Sequence, residues 1–109
     1  MTAAAFTPRA RRDLTAAVRW IRKDNRAAAR ALRNAVERAA ERIGRHSAIG
    51  TVRSELLPAP YRFLPLTGFP YVIVDNSERE PPLIVALLHT ARDLKQALRD
   101  ISEPRGVPE

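Results

Sequence analysis

One stretch concentrates side chains that can do chemistry. In Val85-Ala86-Leu87-Leu88-His89-Thr90-Ala91-Arg92-Asp93-Leu94 an apolar run ends abruptly at an imidazole, a hydroxyl, a guanidinium and a carboxylate. Polar groups at the point where a buried segment reaches the surface are common working positions. The chemistry such groups could perform is acid–base catalysis beside a developing negative charge, which needs a base, a proton source and cations on the anion. His89, Tyr61, Arg53, Arg62 and Arg92 have the right types, and for catalysis proper the set narrows to Arg62, His89 and Arg92. Each also has a plainer role. A lone His at a strand end beside Thr90 and Asp93 suits a hydrogen-bonded structural position. Arg92 suits an ion pair with Asp13 or Asp93. A metal is not expected, because His46 is the only other histidine, the spacing matches no ligand set, and cysteine is absent. No phosphate-binding Gly loop, nucleophile elbow or paired-carboxylate motif is present, and no cofactor is implied.

These residues need a scaffold, and the hydrophobic pattern supplies one. Ala3 to Thr7 reads as a short first strand. Thr7 is a suitable N-cap and Pro8 a suitable first helical residue. Ala10, Leu14, Ala17, Val18 and Ile21 then recur at helical spacing, with Trp20 at the edge of their stripe. Asn25 caps a second helix, whose inner face is Ala28, Leu32, Ala35, Val36, Ala39 and Ile43 and whose stop is Gly44. The short link predicts a helical hairpin. After loop-like residues 45–60, strands are expected at Tyr61–Leu66, Tyr71–Val74 and Leu83–Leu88. Thr67-Gly68-Phe69-Pro70 and the segment starting at Asp75 serve as turns. Thr90 with Asp93 resembles a capping box for a last helix carrying Leu94, Ala97, Leu98 and Ile101. The fold class is therefore α+β, ordered β-α-α-β-β-β-α: an N-terminal strand, a helical hairpin, an antiparallel sheet and a short C-terminal helix. One domain over 1–102 and a flexible tail over 103–109 are expected.

The chain has 109 residues, 45% of them hydrophobic, as a globular protein requires. Its net charge is +7, and the first half carries the excess: Pro8 to Arg45 holds twelve Lys/Arg against four Asp/Glu. That asymmetry suggests an acidic partner, nucleic acid or protein. Arginine outnumbers lysine seventeen to two. Bidentate pairing with carboxylate or phosphate would favour this, and so would the codons of a high-GC genome. No secretory signal or membrane-spanning run is visible, so a cytoplasmic protein is expected.

Four pieces, in order, resemble the ParE/RelE superfamily of bacterial toxins, the ParE branch more than the RelE. They are Phe6-Thr7-Pro8-Arg9-Ala10-Arg11-Arg12-Asp13-Leu14, then Trp20-Ile21 with Asn25, then Gly50 with Arg53-Ser54-Glu55-Leu56, and last Val85 to Asp93, which carries a Leu-His-x-x-Arg-Asp pattern. The resemblance implies the toxin of a type II toxin–antitoxin pair, neutralised by a ParD-like antitoxin in a hetero-oligomer. ParE-type toxins are associated with DNA gyrase inhibition. RelE-type toxins cleave mRNA on the ribosome, and that is the alternative. The dense Lys/Arg/Tyr set of the RelE-type nucleases is not evident, since the only lysines, Lys23 and Lys95, fall outside the expected strands. The expected target-binding residues are Arg53, Arg62 and Arg92, and the expected antitoxin-binding residues Leu14, Val18, Trp20 and Ile21. Two departures stand out: Asp75, where an aromatic is common, and the charged, proline-rich Ser77 to Pro82.

Overall fold

The computed structural model describes residues 2–101 and Glu103. Its elements are β1 (Ala5–Phe6), α1 (Pro8–Arg22), α2 (Arg26–Arg45), β2 (Tyr61–Pro65), β3 (Tyr71–Asn76), β4 (Leu83–His89) and α3 (Leu94–Ala97). The α+β order read from the sequence is the order observed. β2, β3 and β4 are antiparallel neighbours, and β1 joins them in parallel along β4, for a sheet order of β1-β4-β3-β2. β4 is thus central, which accounts for its unbroken apolar run.

Local chemistry starts both long helices as expected. Thr7 Oγ1 accepts from the Ala10 N–H at 3.1 Å, with Pro8 at the first helical position. Asn25 Oδ1 accepts from the Ala28 N–H at 2.9 Å. Each bond satisfies an amide that the helix cannot pair internally. The short link folds α2 back onto α1, and the two pack against each other.

The sheet is covered on both faces. On one, α1 and α2 pack Ala10, Ala17, Val18, Leu32, Val36 and Ile43 onto Tyr71, Ile73, Ile84 and Leu87. On the other, Phe63, Val72, Val74, Leu83 and Leu88 pack against Leu98, with Leu56, Leu57, Leu94 and Ile101 at the margin. A β-bulge lets both alternations coexist. Val74 pairs with Ala86 and Asp75 with Ile84, so Val85 is the extra residue on β4. The bulge sends both Val85 and Ala86 to the second face and returns Leu87 to the helical one.

Several expectations need correcting. Gly44 does not stop α2, which runs to Arg45 with His46 as its cap residue. A Cβ at Gly44 would run into the Thr2 carbonyl and lie 2.9 Å from Ala3 Cα, so the glycine there makes room for the N-terminal segment. The inner face of α2 is rotated toward Ala29 and Ala40, leaving Ala28 and Ala35 half-buried. β3 continues past Val74 to Asn76 and takes Asp75 into the core. Thr90 is not the cap of α3. Asp93 is, accepting from the Gln96 N–H at 3.1 Å, while Thr90 bonds back to the Pro70 carbonyl through its own N–H at 2.8 Å. The tail expected over 103–109 lies outside the described residues except for Glu103.

Candidate functional site

The surface that stands out lies along α1, where that helix meets the Tyr71–His89 end of the sheet. Trp20 is 68% exposed and, with Val52, is one of two large hydrophobic side chains exposed among the described residues. It borders a groove of about 310 Å³ formed with Ala16, Ala17, Tyr71, Leu87 and His89. Lys23 Nζ sits over the indole, 5.0 Å from the ring centroid. The floor of this groove is held by Asp13, whose Oδ2 accepts from the Leu87 N–H at 3.1 Å and pairs with Arg9 Nε at 3.4 Å. β1 is only two residues long, so beyond it the α1 carboxylate takes over the edge of β4.

Arg92 lines this groove and also the adjoining cleft, of about 950 Å³, between α1 and α3. Arg9, Arg12 and Arg99 contribute the other cations of that cleft, with Asp93 and Asp100 as its carboxylates. Arg9 is fixed by donating Nη2–H to the Ala97 carbonyl at 2.9 Å. Asp93 is committed to capping α3. The result is an apolar groove running into a cationic cleft, with Arg92 at the join.

His89 is half-buried, its Nδ1 accepts from the Ala91 N–H at 3.0 Å, and its ring meets Tyr71 edge-on with centroids 5.1 Å apart. The plainer role is the one these contacts describe. Arg92 makes no ion pair among the described residues, because Asp13 is taken by Arg9 and Asp93 by its helix. No helical arginine pairs with Glu37 or Glu41 among the described residues; the ion pairs there are Arg9–Asp13, Arg53–Glu55 and Arg79–Glu103. Arg62 donates Nη1–H to the Gly50 carbonyl at 2.8 Å and Nε–H to Ser77 Oγ at 3.3 Å, which ties the 48–50 loop to the sheet. Arg53 pairs with Glu55 at 3.1 Å and lies over the Phe63 ring. The structure therefore does not bring Arg53, Arg62 and Arg92 around one cavity. Of the residues expected to meet a partner, Val18 is buried and Leu14 and Ile21 are half-buried in the helical core; Trp20 alone faces outward.

The sequence reading missed the arginines of the cleft and the role of Asp75. Arg9 and Arg12 are three apart and share a helix face, a signal that was available. What remained hidden was that α3 brings Arg99 beside them. Asp75 is 1% exposed, faces the helices across from Arg62, and has no hydrogen-bond partner for either oxygen among the described residues. Burial pushes its carboxyl up to about 7, against a smaller opposing pull from Arg62. No group of three metal-ligating side chains occurs among the described residues, and no helix there is long and apolar enough to cross a membrane.

The arrangement of a helical hairpin ahead of a sheet, with the Leu-His-x-x-Arg-Asp segment leaving its central strand, coincides with a sequence match. Residues 4–94 match the family described as the ParE toxin of the type II toxin–antitoxin system parDE. The chain belongs to the ParE toxin family. No curated protein matches it. Membership of this family implies an antitoxin partner, and the matched span holds every residue that lines the groove, Trp20, Tyr71, Leu87, His89 and Arg92 among them. Arg99 of the cleft lies beyond it.

Proposed function

We propose that this chain is a ParE-type toxin, a domain of residues 1–102, that inhibits DNA gyrase by binding and is neutralised in the cytoplasm by a ParD-like antitoxin. The observation that carries the proposal is the groove joined to a cleft. A partner segment with apolar side chains on Trp20, Tyr71 and Leu87 and carboxylates toward Arg12, Arg92 and Arg99 would complement both halves. Arg12 precedes Trp20 by eight residues, about 12 Å along a helix, so acidic and apolar anchors belong about two helical turns apart on the partner. The mechanism is steric and electrostatic. Binding of the antitoxin covers the exposed indole and neutralises cations that otherwise face the target.

The endoribonuclease alternative would need His89, Arg62 and Arg92 around one phosphate. Arg62 is committed to the Gly50 carbonyl, and His89 Nδ1 to a backbone amide. These commitments favour binding over catalysis.

The test is expression of the chain with and without the protein encoded next to it, followed by two assays on the purified toxin. Growth arrest relieved by the neighbour, loss of gyrase supercoiling and intact mRNA on ribosomes are expected. Ribosome-dependent mRNA cleavage with unimpaired gyrase would replace this reading with the alternative. Absence of both toxicity and a co-purifying partner would remove it.

A further inference from the structure

At the other end of β3 from the Trp20 groove, three donors from three positions converge on one carboxylate. Tyr61 Oη donates to Glu103 Oε2 at 2.5 Å, Asn76 Nδ2 donates to the same oxygen at 2.7 Å, and Arg79 Nη1 donates to Glu103 Oε1 at 2.7 Å. The donors are preorganised. Asn76 is 8% exposed, and its Oδ1 accepts from the Glu78 N–H at 3.0 Å, which turns the amide's donor end toward the carboxylate. Tyr61 pairs with Asn76 across β2 and β3. Burial first, and then Glu103, push its hydroxyl up to about 12, so it stays a donor at any physiological pH. One cation and two neutral donors around a single point suit one oxyanion.

The occupant and the site have different standing in the chain. Tyr61, Asn76 and Arg79 all lie within residues 4–94, the part shared with the family, whereas Glu103 lies beyond it. The donors sit on β2, β3 and the turn after β3, and the carboxylate lies two residues beyond Ile101, which is partly buried against the same face of the sheet.

We propose that Tyr61, Asn76 and Arg79 form an oxyanion-binding site, for a carboxylate or a phosphate, which Glu103 plugs. The site is separate from the groove and cleft on α1, and does not depend on the gyrase reading. With Glu103 seated, the site is closed. When Glu103 is displaced, a half-buried Arg79 loses its partner charge and the three donors become available to an anion from another molecule.

The experiment titrates the full chain and its Glu103→Ala variant with sodium acetate and, separately, with inorganic phosphate, reading the Asn76 side-chain amide by NMR. The variant is expected to show a saturable shift with a dissociation constant lower than that of the native chain by about tenfold or more. Adding Arg79→Ala should abolish that shift, and the anion that binds more tightly identifies the ligand class. Equal binding by the native chain would overturn the proposal, because Glu103 would then not occupy the site. Absence of binding to Glu103→Ala, or failure of both this variant and Glu103→Gln to fold, would also overturn it and leave the cluster as a structural clamp.

Discussion

Asp75 shows how one side chain can tie the stability of this molecule to pH. Its carboxyl sits in the core with neither oxygen hydrogen-bonded among the described residues and a pKa raised from 3.8 to about 7. A folded chain that keeps a proton which the unfolded chain has released is destabilised as pH rises. The contribution is full below about 4, declines through the interval above it and is gone above about 7. The displacement corresponds to roughly 4 kcal/mol between the two protonation states. Asp75→Asn should therefore raise the melting temperature at pH 8 and flatten its decline between pH 4 and 7; denaturation followed across that range checks it. A variant less stable than the native chain at pH 8 would mean that the ionised carboxylate is paired with Arg62. The sequence offered a clue in the acidic residue at a position where aromatics are common. What it could not supply was burial, since a strand ending at Val74 would have left Asp75 in a solvated turn.

The elements were legible where local physics decides. Thr7-Pro8 and Asn25 start their helices because their side chains satisfy the first free amides, whatever the tertiary context. Gly44 and Thr90 were misread because each is answered by a distant piece of chain: Gly44 by Thr2 and Ala3, Thr90 by Pro70. This reverses the expected sign of a substitution. Helix propensity alone makes Gly→Ala stabilising by about 1 kcal/mol. Here the added methyl would strike backbone that Ala4 anchors through its N–H to the Ala40 carbonyl at 2.9 Å. Gly44→Ala should instead cost about 1–3 kcal/mol, as overpacking typically does. Chemical denaturation measures it, and a stabilised variant would refute the close approach.

At the scale of the whole molecule, charge is segregated and the groove and cleft lie on the basic side. Twelve of the nineteen Lys/Arg fall between Pro8 and Arg45, and Arg92 and Arg99, on either side of α3, join Arg9 and Arg12 in the cleft. Binding of an acidic antitoxin should therefore weaken with salt, mainly through slower association, because exposed charges steer encounter and are screened. Trp20→Ala should act differently, costing about 2 kcal/mol or more through faster dissociation while leaving the salt slope unchanged. Surface plasmon resonance at several ionic strengths separates the two. An association rate indifferent to salt would remove the cationic cleft from the interface.

The α+β order, the caps of the long helices, the charge asymmetry and the family resemblance are all written in the order of the residues. These follow from periodicity, composition and neighbours close along the chain, which the residues carry with them. Three-dimensional packing is what places Arg92 where a groove meets a cleft, sets Arg62 to hold a loop, buries Asp75, and brings Tyr61, Asn76 and Arg79 to the Glu103 carboxylate. Each of these depends on groups far apart in sequence whose meeting is set by sheet order, the Val85 bulge and the packing of α3, and no local pattern encodes that distance.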